Sequence, residues 1–547
     1  MPFLSTETHP IPEQDIISWY FDAPRFDQSK PIYVDALDPS RAYTAADCKT
    51  LIRKLCAGFV ASGLQSGDCV CLHSFNDINY PILVNGIVAF GGVFAGANPS
   101  YTVHEMVHHL KTARVRMLIV EPELLSTTLQ AAKEAGLPRS AVLVFDHKGN
   151  EIIPPEHNIL KRWRSLLDHG ERDWVRLKGT DTRTTTAARL FSSGTTGLPK
   201  AAILSHYNLV AEHELVSEWK PKSYDIRRIV AIPMFHAAAV PGAHFSPLRN
   251  GAQIFILRRF ELEPFLASIE RHQITDMAVV PPMVIAIIMS DLSKKYSLTS
   301  VKHVTCGAAP LDKGPQARLK QLLVSETPFS QVWGMTETSC ICSMLPWPED
   351  DASGSVGHML PGVDAKLVDD NGKDVSADDV RGELCVRGSI VISGYFENPE
   401  ANARDWDKEG YFHTGDIAFR SKENGLFYIV DRKKELIKVR GFQVAPPELE
   451  AVLLSHPLLI DAAVIGVQFG RDESELPRAY VVRRLSSEDA TKLTEGDIKT
   501  YMKGKLARYK ELAGGVKFMD AIPKNPSGKI LKRVLREMAR KEIGAKL

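Results

Sequence analysis

Up to Pro361 the chain alternates short apolar runs with longer stretches whose apolar positions recur every three or four residues. VRMLIV (115–120), IVAIPM (229–234), AQIFIL (252–257) and MAVVPP (277–282) have the length of buried strands, whereas AADCKTLIRKLCAGFVASG (45–63) has the period of an amphipathic helix. Such alternation predicts parallel strands joined by helices. Beyond Pro361 the segments shorten and are punctuated by turns, as in DAKLVDDNGKDV, GELCVRG and GLFYIVDR, which predicts a small antiparallel sheet or barrel. A third texture begins near Lys434: a strand–helix–strand pattern through AAVIGV (462–467) and RAYVVRR (478–484), then a lysine-rich helix and a polar Pro/Gly loop. The expected architecture is α/β, with layered parallel sheets and helices over 1–433, a β-rich subdomain over about 361–433, and a small α+β domain over 434–547.

Composition changes this picture little: 547 residues, 44% hydrophobic and 24% charged, suit an ordinary globular chain large enough for several cores. A net charge of +1 gives no global pull toward nucleic acid or an anionic membrane. The charge is uneven, since Lys434 to the end carries 22 Lys+Arg against 15 Asp+Glu, as expected of a unit that faces phosphate. Eight scattered cysteines without a CxxC pair argue against a disulfide framework or zinc ribbon, and favour a reducing compartment. The N-terminus has no basic start leading into an apolar stretch, hence no sign of a secretory signal. Tyr80 to Pro99 is apolar but holds Asn85, Asn98 and four glycines, so a buried helix running into a strand is expected there rather than a membrane span.

The most informative stretch is Phe191-Ser-Ser-Gly-Thr-Thr-Gly-Leu-Pro-Lys200, after a predicted strand and before a predicted helix near Ser205-His206. Gly194 and Gly197 allow close backbone approach to a ligand, Ser192, Ser193, Thr195 and Thr196 offer hydroxyls, and Lys200 offers a cation. The loop suits polyphosphate, yet it lacks the Gly-Lys-Ser/Thr of the usual phosphoryl-transfer loop. Together with Gln331-Val-Trp-Gly-Met-Thr-Glu-Thr338, Tyr411-Phe-His-Thr-Gly-Asp416, Asp431-Arg-Lys-Lys-Glu-Leu-Ile-Lys-Val-Arg-Gly-Phe-Gln443 and Pro526-Ser-Gly-Lys-Ile530, it resembles the adenylate-forming superfamily of acyl-CoA synthetases, adenylation domains and luciferases. Within it the chain looks most like the 4-coumarate:CoA ligase branch, with the motifs in that order from about residue 40 onward.

The resemblance implies an acid:CoA ligase that forms acyl-AMP and pyrophosphate from ATP and a carboxylic acid, then passes the acyl group to coenzyme A. It implies that Ser192 to Gly197 and Lys200 cradle the β- and γ-phosphates, and that Glu337 holds Mg²⁺ with Thr336 beside the α-phosphate. Asp416, assisted by Arg432, would accept the ribose hydroxyls, and Trp333 would stack on adenine with Gln331 and Gly334 nearby. Gly307, Ala308 and Ala309 would line the adenine and acyl sites. Lys529 would carry the first step from a mobile C-terminal lid pivoting at Lys434. Lys438 and Gln443 would contact adenylate, and Arg440, Gly441 and Phe442 coenzyme A; Arg440 stands where lysine is common. His236, Ala237, Ala238, Gly242, Ala309 and Val332 would shape the acid pocket. Ala238 replaces a tyrosine of hydroxycinnamate-using relatives and Val332 a glycine, which shifts the expectation toward an apolar aryl, arylalkanoic or medium-chain fatty acid.

Other readings stay open at this level. A carrier protein could replace coenzyme A as acceptor, and a luciferase-like oxidation shares the fold. His104-Glu-Met-Val-His108 fits the zinc-hydrolase HExxH pattern, but no third ligand is evident. Ala545-Lys546-Leu547 is close to the peroxisomal Ser-Lys-Leu address, so import through its receptor is expected, with the cytoplasm as the alternative.

Overall fold

The computed structural model describes residues 1–149, 160–192, 199–433, 435–439, 442–468, 475–484, 492–503, 505–506, 510–525 and 528–544. Two sheets form the body. One has six strands in the order Val142–Val144, Val115–Val120, Cys69–His73, Val93–Ala97, Thr186–Ser192 and Lys200–Ser205. The other has seven, in the order Phe329–Gln331, His303–Cys306, Asp276–Val279, Arg227–Val230, Gln253–Ile256, Pro31–Asp35 and Ala42–Thr44. All neighbours are parallel except the last pair of each sheet, as the strand–helix alternation predicts. Such sheets need apolar cover on both faces. The fully buried helix Asn79–Ala89 supplies part of it and runs into the strand Val93–Ala97, so the apolar stretch is core. Among the described residues no helix is long and apolar enough to cross a membrane.

Several expectations need correction. IVAIPM is a strand only as far as Val230; Ala231 to Met234 leave the sheet toward His236. The Ser/Thr/Gly loop joins two antiparallel strands instead of a strand and a helix, with Ser192 paired to Lys200. The helix starts where expected, at His206–His213 with Ser205 capping it from the side chain; what the sequence does not announce is the strand Lys200–Ser205 between loop and helix. Antiparallel pairing also starts before Pro361, in the sheet Trp333–Met335, Cys340–Met344 and His358–Met359. The four-stranded sheet Asp364–Val368, Gly382–Arg387, Phe412–Arg420 and Phe427–Arg432 follows.

The HExxH stretch is an ordinary helix start: Glu105 closes a capping box with Thr102, His104 is exposed, and the His108 ring lies 2.8 Å from the Pro199 carbonyl. No group of three or more His, Cys, Asp or Glu among the described residues could hold a metal ion. All eight cysteines are free.

After Arg432 the chain enters a separate core. A hairpin, Ile437–Val439 with Phe442–Val444, leads to a three-stranded sheet of Leu459–Val467, Leu476–Arg483 and Val516–Met519. Helices Pro446–Leu454, Glu495–Lys503 and Lys532–Gly544 belong to the same unit.

Candidate active site

The carboxyl ends of the seven-stranded sheet, where parallel α/β sheets place ligands, open into a cleft of about 1050 Å³. Its walls come from both parts of the molecule: Ala308, Ala309, Val332, Trp333, Asp416 and Arg432 from the body, Lys529 from the C-terminal unit. The 307–309 turn leaves the strand His303–Cys306 with Ala308 at φ 70°, a conformation that costs a residue with a Cβ. Gly307 sits so close to Val332 that an added methyl would lie 2.7 Å from its Cγ2. Gln331 fixes this turn. Its Oε1 accepts from the Leu311 N–H (3.0 Å) and its Nε2 donates to the Leu311 carbonyl (2.8 Å) and to Gln316 (3.1 Å). The Gln331 amide thus shapes the pocket wall while the residue itself lines the cleft.

Asp416 and Arg432 face each other because their strands pair at those residues. Arg432 Nε lies 3.3 Å from Asp416 Oδ1, and the Trp333 indole N–H donates to Oδ2 at 2.9 Å. Each carboxylate oxygen keeps a lone pair for a diol, and Trp333, largely buried, is pinned edge-on by the same bond. The structure brings these three sequence-selected residues together.

A second constellation surrounds Glu337, on the turn Thr336–Thr338. Its Oε1 accepts from the Tyr395 hydroxyl at 2.8 Å, while Oε2 is buried with no hydrogen-bond partner among the described residues. The Tyr395 ring carries Lys200 Nζ 3.8 Å from its centroid, and Lys200 pairs with Asp405 at 2.8 Å. Sequence reasoning missed Tyr395 and Asp405. The only signal was an aromatic in a Ser-Gly turn ahead of Asn398-Pro399, which fits any surface turn as well.

Lys529 enters from a loop closed by reciprocal bonds: its N–H donates to Asn525 Oδ1 (2.8 Å), and the Asn525 N–H to its carbonyl (2.9 Å). Burial, and then the charge of Arg432, lower its pKa to about 8. Burial and the Lys529 charge hold His236 at about 4, so its ring is neutral at pH 7. Nδ1 accepts from the Ala238 N–H at 3.2 Å, which leaves Nε2 as the donor nitrogen.

Of the acid-pocket positions, Ala309 and Val332 line the cleft, and Ala238 is exposed beside Cys340, whose Sγ is 3.6 Å from the Ala238 carbonyl. Ala237 is a correction: the turn points it into the main core. Gly242 follows Ala238 by four residues, and a methyl there would lie 3.1 Å from the Arg228 guanidinium. Ser193, Gly194, Thr195, Thr196, Gly197, Lys434, Arg440, Gly441 and Ala545-Lys546-Leu547 lie outside the described residues, as do the side chains of Lys438, Phe442 and Gln443. Only backbone pairing of Lys438 with Gln443 is described.

A basic unit that brings Lys529 to a cleft of this size, with the buried carboxylates of Asp416 and Glu337 on the body side, suits an enzyme of nucleotide-driven acid activation. The AMP-binding enzyme model matches residues 22–396 and the AMP-binding enzyme C-terminal domain residues 448–529; the chain belongs to this family. It is 49% identical to the phenylacetyl-CoA ligase epaB of Aspergillus niger over 530 residues, 96% of this chain and 97% of that protein. It is likewise 49% identical to the acyl-CoA ligase azaF of Aspergillus niger over 528 residues, covering 96% and 98%. ATP-bound MatB from Rhodopseudomonas palustris superposes with a TM-score of 0.85 at 26% identity, covering 97% and 99%; apo MatB reaches 0.73 over the same shares. The protein is an ATP-dependent, AMP-forming acid:CoA ligase.

Proposed function

We propose that the acid is an arylalkanoic acid of the phenylacetate type. The observation that carries this reading is the exposed methyl of Ala238 beside Cys340, small groups that leave room for an apolar ring while offering no phenol partner. The name of the 49% identical phenylacetyl-CoA ligase supports the same class. In the first step a carboxylate oxygen attacks the α-phosphorus of ATP and pyrophosphate leaves. Lys529 offsets the charge of the two anions, Asp416 and Arg432 hold the ribose, and the neutral His236 ring keeps Nε2–H available on the acid side. In the second step the thiol sulfur of coenzyme A attacks the acyl carbon and AMP leaves, from the side that the C-terminal unit must vacate.

Mg²⁺ fits at Glu337, because Oε2, without a hydrogen-bond partner among the described residues, is a buried carboxylate oxygen of the kind a hard cation takes. Bound there, the ion would neutralise phosphate charge.

The test is thioester formation with phenylacetate, 4-hydroxycinnamate and octanoate, in the native enzyme and in Ala238→Tyr. We expect phenylacetate to lead in kcat/KM by about tenfold or more, the scale of a pocket that reads size and one polar group, and Ala238→Tyr to erase that lead. A native preference for 4-hydroxycinnamate would overturn the acid class.

A further inference from the structure

Tyr395 lies between the strand Gly382–Arg387 and the helix Pro399–Asp405 and is 2% exposed. The backbone around it is tied to both of the groups that its side chain touches. On one side the Ile392 N–H donates to the Glu337 carbonyl at 3.0 Å. On the other, the Ile203 N–H donates to the Gly394 carbonyl (3.0 Å) and the Phe396 N–H to the Ala201 carbonyl (2.8 Å), both in the strand that starts at Lys200. Asn402 closes the segment, accepting from the Tyr395 N–H at 2.7 Å and donating to its carbonyl at 3.1 Å. Trp406 meets the ring edge to face, with 5.6 Å between centroids. A side chain held this firmly presents two different surfaces. Its hydroxyl donates to Glu337 Oε1 at 2.8 Å, and its face lies 3.8 Å from Lys200 Nζ.

We propose that Tyr395 is a positioning residue for ATP and its metal ion, one rigid ring that sets the Glu337 carboxylate and the Lys200 ammonium relative to each other. A carboxylate oxygen accepts and an aromatic face attracts a cation, so the edge and the face of one tyrosine suit these two partners at once. With Oε1 tied to the hydroxyl, turning the carboxylate about its last bond would cost that hydrogen bond, and Oε2 keeps one direction. Partners behind a metal-binding carboxylate commonly act in this way. Lys200 is held from a second side by Asp405 at 2.8 Å, which leaves the ammonium between a ring and a carboxylate. This inference rests on the reading of Glu337 as a metal carboxylate and of Lys200 as a phosphate cation, and is independent of which acid is used.

The test is ATP binding without acid, followed by calorimetry on the full-length enzyme in Mg²⁺ and in EDTA. Tyr395→Phe keeps the ring and loses the hydroxyl. It should weaken binding about 10-fold or more in Mg²⁺, the scale of a lost partner behind a metal ligand, and stay within about twofold of native in EDTA. Tyr395→Leu removes the ring as well and should weaken binding in EDTA too, by about threefold or more. In pyrophosphate exchange Tyr395→Phe should need about 10-fold more Mg²⁺ for half its maximal rate and regain most of the native maximum at saturation. A residue that merely supports the fold would lower that rate at every Mg²⁺ concentration. Tyr395→Phe binding ATP like the native enzyme in Mg²⁺, or losing as much in EDTA, would overturn the link to Glu337. Tyr395→Leu binding no more weakly than Tyr395→Phe in EDTA would overturn the link to Lys200; should Tyr395→Leu not fold, Tyr395→Met reads the same link. A native affinity indifferent to Mg²⁺, or a Glu337→Gln enzyme that keeps the gain from Mg²⁺, would instead strike the metal reading of Glu337, and this inference with it.

Discussion

Lys529 is an ammonium group that has lost much of its water, and the positive Arg432 close by worsens its position. Both effects favour the neutral amine and bring the pKa to about 8. A cation with a lowered pKa is present below that value and lost as pH rises through it. Because kcat/KM reports the free enzyme, that of pyrophosphate exchange should level off below pH 8 and fall about tenfold per unit above it, one proton per lysine. A steady rate up to pH 10, measured in the presence of saturating magnesium, would show that the charge of Lys529 is not what the first step uses. His236 cannot supply such a limb, since at about 4 its ring is neutral throughout that range.

At the level of elements, the site depends on how closely two short strands approach. Gly334 lies in Trp333–Met335 against Cys340–Met344, and a Cβ there would collide with the Cys340 carbonyl. The strands flank the turn that carries Thr336 and Glu337. Gly334→Ala should therefore cost about 2–3 kcal/mol as overpacking and displace Glu337, read as a lower thermal midpoint together with lost exchange. An unchanged midpoint would mean the hairpin can slide apart freely. The same strands show what the sequence makes legible. Asp416, Arg432 and Trp333 were placed together by motif order, because residue type and strand register agree. Gln331 lines the cleft, but its side-chain amide is tied to Leu311 and Gln316, and Ala237 turns into the main core, because a motif records position along the chain while the direction of a side chain is set by tertiary partners. Tyr395 and Asp405 were invisible for the same reason: they reach Glu337 and Lys200 only through tertiary contact. The strand–helix alternation revealed both parallel sheets, but alternation cannot tell a helix that follows a loop directly from one that follows after a further strand.

Across the whole molecule the two parallel sheets are joined by a buried ion network that no motif announced. His147, just past the strand Val142–Val144, lies with Nε2 2.8 Å from Glu121 and Nδ1 3.4 Å from Asp77. Arg258, beyond Gln253–Ile256, pairs with Glu121, and Arg41, between the strands Pro31–Asp35 and Ala42–Thr44, pairs with both Asp35 and Asp77. Residues 121 and 147 follow strands of the six-stranded sheet, 35 and 258 end or follow strands of the seven-stranded one, so the imidazolium sits where the two halves of the body meet. Burial disfavours its charge, but Asp77 and Glu121 outweigh that and raise the pKa to about 9. A group whose folded pKa exceeds its unfolded value of roughly 6.5 adds stability that is complete below 6.5 and disappears as pH rises through 9. His147→Gln should accordingly cost about 2–3 kcal/mol at pH 6 and much less at pH 9.5, where the native ring has also lost its proton. Unfolding of the body at the two pH values measures this directly. Equal destabilisation at both would mean that packing of the ring, and not its charge, holds the sheets together.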